Sequence, residues 1–166
     1  MTAPQMIAMD KALAEVEIPP PDAGNWAGQL AEVARRMRAV IRRHRDVVPS
    51  SVGFLPCGAH ALSCHERVLA IMRNGGLPGR RAVAGLHLLW LIVNGFSLEE
   101  THAGQSAGAG PDLSPEVSRY FAALPGDRFP NLNAVAGELA ETSFDERFEL
   151  LIGIFIDGLA ARAGRS

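Results

Sequence analysis

The sequence predicts an all-α fold, a bundle of helices built on aliphatic faces, and three observations predict it. Apolar residues recur at helical spacing, most clearly at Leu30, Val33, Ala34, Met37, Val40 and Ile41. No segment alternates with the period of two that a half-buried strand requires. Prolines and glycines punctuate the chain at helix-length intervals, and no tandem repeat is present. Composition agrees: hydrophobic residues make up 48% of 166 residues but aromatics only 6%. The core must therefore be aliphatic, and the length suits one domain.

Met6 to Val16 reads as a short amphipathic helix, stopped by Ile18-Pro19-Pro20-Pro21 because proline cannot continue a helix. Asn25 is a good N-cap for the next helix. Its apolar face is opposed by Arg35, Arg36, Arg38, Arg42, Arg43 and Arg45. Pro49 to Phe54 could form one helical turn before Pro56. A further helix spans Gly58 to Arg73 and stops at Asn74-Gly75-Gly76. Pro78 suits the first turn of a long helix reaching Leu98 or His102. Between Leu86 and Val93 that helix is apolar almost all round, so it needs partners on more than one side. Ala103 to Pro111 reads as a loop. Short helices follow from Ser114 to Leu124 and from Pro130 to Glu141. Ser143 caps the last helix, dominated by Phe148, Leu151, Ile152, Phe155, Ile156 and Leu159.

A net charge of −2 provides no field to draw the chain onto nucleic acid or an anionic membrane. The arginine-rich face between Arg35 and Arg45 carries no interleaved aromatics and reads as a solvated helix face. Met1 to Gln5 lacks a basic and apolar leader, and Leu86–Val93 is too short for a bilayer, so a cytoplasmic protein off the membrane is expected. Cys57 and Cys64 lie two helical turns apart, about 10 Å, too far for a disulfide. Two free thiols fit a reducing compartment.

Cys57, His60 and Cys64 fall at i, i+3 and i+7, on one helix face, with His65 adjacent. Zinc accepts such ligands, but a structural site wants four and draws them from two elements. No second Cys/His pair occurs, so small buried cysteines explain the pattern better, and no metal or cofactor is expected. Cys64 and His65 point to different sides of a helix, which is poor geometry for a nucleophile and its base. No nucleophile elbow or phosphate loop is present, and no catalytic residue is expected. His87, Trp90 and Asn94 share a face of the long helix. Their polar atoms are either satisfied in the core or at a seam, or turned into an apolar cavity.

Three segments together resemble the C-terminal domain of the tetracycline-repressor (TetR) family of transcription regulators. They are the Trp26-to-Asp46 helix ending His44-Arg45-Asp46, the stretch from Asn74-Gly75-Gly76-Leu77 to Asn94-Gly95-Phe96-Ser97-Leu98-Glu99-Glu100, and Phe144 to Arg162. The resemblance implies a regulatory body that binds a small ligand, and a homodimer formed through a four-helix bundle. The expected interface residues are Leu86, Leu89, Val93, Leu151, Phe155 and Leu159. Residues 1–17 resemble the helix that connects a DNA-reading head, and 18–166 the ligand-binding and dimerisation domain. Family members carry a three-helix DNA-reading head ahead of this region, and too few residues precede Trp26 to hold one. DNA would then be reached only through a head absent from this chain. The chain is either the effector-binding body of a repressor or a headless protein that pairs with intact regulators or sequesters a ligand. A small metal-dependent helical enzyme is a third reading.

The expected ligand cavity is mostly apolar, with Met37, Ile41, Phe54, Leu62 and Trp90, and with His65 and Asn94 as orienting polar groups. Glu99 matches by position a pocket carboxylate of the tetracycline-binding branch, and an exposed helix-end glutamate is the alternative. That branch holds a magnesium–tetracycline chelate with a histidine whose position falls near Ser51 here. A hydroxyl cannot replace that imidazole, so an apolar ligand rather than the chelate is expected.

Overall fold

A computed structural model describes residues 3–44, 56–105, 115–139 and 142–163. Among them stand eight α-helices and no strand. The expected turn at Pro49 to Phe54 lies outside the described residues. The chain divides into two compact units, Met1–Leu98 with Ile152–Ser166, and Glu99–Leu151, where composition had suggested one domain.

In the first unit, α1 (Ala3–Leu13) begins earlier than its apolar pattern suggested and buries Met9, Ala12 and Leu13. The proline run that follows is held by Gln29, which accepts from Asp22 N at 2.8 Å and donates to Pro20 O at 2.6 Å. A 3-10 turn at Ala23–Asn25 leads into α2 (Trp26–Arg43). Asn25 occupies the N-cap position but makes no side-chain cap bond there. Asp22 supplies the local turn instead, accepting from Gly24 N at 2.9 Å. The arginine face is not uniformly solvated. Arg38 is buried, with its guanidinium 5.2 Å from the centre of the Phe96 ring.

Helix α3 (Ala59–Asn74) has Gly58 at its N-cap, which offers no side chain. Asp10 of α1 fills that role across space, its Oδ1 accepting from Ala61 N at 2.9 Å. A Cβ on Gly58 would sit 2.2 Å from the Asp10 carboxylate, so only glycine admits this approach. The far end of α3 closes on Gly76, whose φ of 85° is left-handed, with Leu77 N donating back to Met72 O at 3.1 Å. Helix α4 (Gly79–Gln105) starts just after Pro78 and runs beyond His102 into the expected loop. By length and composition its Gly79–Ala103 segment could cross a membrane, but half of its most apolar window is buried inside the protein. A Cβ on Gly85 would meet Met72 Sδ at 3.1 Å and Leu159 Cδ2 at 3.3 Å, so α3, α4 and α8 (Phe144–Ala160) close tightly there.

In the second unit, α5 (Pro115–Ala122) packs on two short helices, α6 (Pro130–Ala134) and α7 (Ala136–Leu139). The single helix expected from Pro130 thus breaks at Val135. Ser118 donates to Ala136 O, and Asn133 to Ala122 O, so side chains fix this turn-rich packing. Ser143 and Glu146 form a reciprocal capping box at the start of α8. Both hydrogen bonds from Ser143, first its backbone N–H and then its hydroxyl, hold the Glu146 carboxyl below its usual pKa.

Candidate ligand site

Three helices of the first unit meet around one small apolar cavity. Met37 reaches it from α2; Cys64, His65 and Val68 from α3; Leu86, Leu89 and Trp90 from α4. It measures about 10 Å³, the space of a single water molecule. His65 and Trp90 meet in a T-shaped pair, centroids 6.1 Å apart and planes at 84°. The histidine is 8% exposed, and its Nε2 is buried without a hydrogen-bond partner. Burial pushes its pKa below the usual histidine value, so the ring is neutral at pH 7.

The structure brings three of the sequence-predicted residues, Met37, His65 and Trp90, to this cavity. It does not bring the others. Ile41 is buried on α2 but stands outside the wall. Leu62 is 55% exposed, because one position beyond Ala61 turns a side chain about 100° off the face that buries Ala61, His65 and Val68. Asn94 is buried, and its amide donates back to Trp90 O on its own helix at 2.8 Å. Glu99 belongs to the second unit, exposed, with Arg147 Nη1 at 3.4 Å. Phe54 and Ser51 lie outside the described residues.

The residues expected at a dimer seam are placed inward. Leu86, Leu89, Val93, Phe155 and Leu159 are buried within the chain itself, and Leu151 is half-buried. The large apolar side chains that face outward on these helices in the first unit are Val83, Leu88 and Leu91 of α4 and Ile154 of α8. Gly95 and Gly153 have open space where a Cβ would stand, so nothing within the chain demands glycine at either.

Cys57, His60 and Cys64 belong to no cluster of three metal-ligating side chains among the described residues. Cys64 is half-buried and its thiol donates to Leu13 O at 3.6 Å, while burial pushes its pKa up and keeps it protonated. Cys57 precedes the helix and is exposed. Sequence reasoning missed a second hollow, a half-open cleft of about 360 Å³ between α1 and the start of α3. Met6, Ile7, Cys57 and His60 line it, and the carboxylate there, Asp10, is already engaged by Ala61 N. No local pattern signals that cleft, because it is formed by residues some fifty positions apart.

Residues 18–163 match the family model for the tetracycline-repressor-like C-terminal domain. The chain belongs to the TetR family. Among solved structures it is similar to the TetR family protein ActR of Streptomyces coelicolor in complex with (S)-DNPA: 34% identity, TM-score 0.86, covering 96% of this chain and 75% of that one. The same protein in complex with actinorhodin gives 34% identity and a TM-score of 0.87, over 97% and 76% of the two chains. A possible TetR family transcriptional regulator from Streptomyces coelicolor A3(2) is 26% identical, with a TM-score of 0.73 over 96% and 76%. No curated protein matches. The chain is thus a TetR-type ligand-binding domain, all-α and non-enzymatic.

Proposed function

We propose that this chain is the effector-binding and dimerisation body of a TetR-like transcriptional repressor that responds to a small apolar ligand in the cytoplasm. The observation that carries the reading is the small apolar cavity among α2, α3 and α4, in a fold whose solved relatives include complexes with (S)-DNPA and actinorhodin. Residues 1–17 would connect to a DNA-reading head in the full-length protein, and 18–166 would form the body. A guest larger than water must part the helices around His65. Movement of α3 would pull on α1 through the Asp10–Ala61 hydrogen bond, and so shift the spacing of the heads. The outward apolar residues of α4 and α8 support pairing with a second copy through a four-helix bundle, with Gly95 and Gly153 leaving room for a partner's helices.

Thermal-shift screening with lipophilic metabolites tests the reading, because a ligand that binds only the fold raises its melting temperature by mass action. Several lipophilic compounds should stabilise the chain, and Trp90→Ala should weaken them. Stabilisation by magnesium–tetracycline with no response to lipophilic compounds would overturn it. Light scattering should give twice the 17.7 kDa chain mass, and a monomer at micromolar concentration would refute the dimer.

A further inference from the structure

We infer that the half-open cleft between α1 and the start of α3 is a second small-molecule site, and that it takes an organic acid with a flat apolar body. The inference stands apart from the inner cavity among α2, α3 and α4, and neither reading needs the other.

The cleft offers about 360 Å³, within the range of pockets that hold drug-sized molecules, against about 10 Å³ for the inner cavity. It can therefore receive a ring system without parting any helices. Its wall is mostly apolar, with Met6 and Ile7 on α1 and Pro56 just ahead of α3. Helix α1 buries Met9, Ala12 and Leu13 in the core but leaves Met6 and Ile7 46% and 58% exposed. These are two apolar side chains that the core does not use, at the edge of a hollow. Covering them with a guest removes apolar surface from water, which favours binding. A half-open cleft covers one side of a guest and leaves the other wet, so the guest is amphipathic.

Two neighbouring residues of α1 set the charge of the wet end. Asp10 is the one carboxylate in the lining, and it is committed to the start of α3 through Ala61 N at 2.9 Å. Lys11 is the only lysine in the chain, lines the cleft one turn after Ile7, and is exposed. It has no hydrogen-bond or ion-pair partner among the described residues. A lysine can lay its methylenes along an apolar wall while its ammonium stays in water, where it meets a carboxylate at the mouth. A cationic guest would be repelled by Lys11 and would find the single carboxylate already engaged. Because the ion pair is exposed, salt screens it and its share of the affinity is modest. Apolar contact holds the guest, and Lys11 gives the preference for an acid.

The test uses 2-naphthoate and its neutral isostere 2-naphthamide, with dissociation constants measured by titration calorimetry at low salt. Cys57 lines the cleft and is exposed, so its rate of alkylation by iodoacetamide reports occupancy there. Saturating 2-naphthoate should slow that reaction. The wild-type chain should bind 2-naphthoate about two- to five-fold more tightly than 2-naphthamide, the range for one exposed ion pair. In Lys11→Gln the two constants should converge, and Ile7→Asn should weaken both compounds. Both positions are exposed, so neither change touches the core. Trp90→Ala, at the inner cavity, should leave both constants as they are. Binding that leaves Cys57 alkylation at its free rate, or that Trp90→Ala weakens, would place the guest elsewhere and overturn the site. Equal constants in the wild type, or a preference that survives Lys11→Gln, would overturn the acid as its ligand. No binding of either compound would overturn the site and leave the inner-cavity reading intact.

Discussion

The two sides of α4 carry the same kinds of side chain and have opposite surroundings. Leu86, Leu89 and Val93 are packed inside the chain, whereas Val83, Leu88 and Leu91 are open to solvent. On the inner side a Cβ at Gly85 would crowd Met72 and Leu159; on the outer side Gly95 has nothing near it. Two adjacent leucines, Leu88 and Leu89, thus differ from 44% to 1% exposure. A helix apolar all round announces that it has two partners without saying which side belongs to which. The inner side fills a core and a cavity. The outer side leaves Val83, Leu88 and Leu91 to solvent, the residues through which a second copy is proposed to pair.

The largest expected effect separates these sides directly. Leu89→Ala should cost about 2–5 kcal/mol of stability in urea unfolding, because it opens a cavity in a packed core. Leu91→Ala on the outer side should cost well under half of that in the monomer and act on self-association instead. Equal losses for the two would erase the distinction.

The glycines sharpen it. Gly85→Val should destabilise by about 1–3 kcal/mol through overpacking against Met72 and Leu159. Gly95→Ala should stabilise a dilute, monomeric sample by up to about 1 kcal/mol, because alanine is the better helix former and the space is free. In the proposed dimer, the same Gly95→Ala change should weaken pairing, which sedimentation at rising concentration would detect.

The smallest effect is a pH slope. Burial lowers the pKa of His65, so the unfolded chain takes up a proton at a higher pH than the fold does. The stability tied to its neutral form is complete above about pH 6.5 and is lost as pH falls through the lower folded value. The Glu15 carboxyl, lowered first by its hydrogen bond from Arg43 and then by that from His44, adds a loss in the same direction at more acid pH. His65→Gln should flatten the upper part of the curve and leave the acid part.

Helix periodicity made the all-α class and the bodies of α2, α3, α4 and α8 legible, because each keeps a long apolar stripe. Of the residues expected to line a cavity, Met37, His65 and Trp90 lie around the small hollow among α2, α3 and α4. The rest depended on rotation and on distant partners. A shift of about 100° separates Leu62 from the buried face of α3. The five apolar positions expected to meet a second copy and buried here were chosen from bulk and spacing, and the core claimed them because bulk and spacing are what a core needs as well. Arg38 looked like one more exposed arginine because the Phe96 ring that covers it lies in another helix. Asn25 was displaced as a cap by Asp22 and Gln29, an arrangement dictated by the proline run rather than by any local capping motif.

The borrowed cap at the start of α3 has an evolutionary corollary. Because Asp10 serves a helix that begins some fifty residues later, and Gly58 is empty to let it in, the two positions form one unit of inheritance. A lineage that placed aspartate or serine at position 58 would give α3 a cap of its own, and would at once free position 10 to drift. Descendants should therefore come in two kinds, Asp10 with Gly58 or a capping residue at 58 with an unconstrained position 10. Mixed pairs would be rare, and in the second kind α1 would have lost its tether to α3.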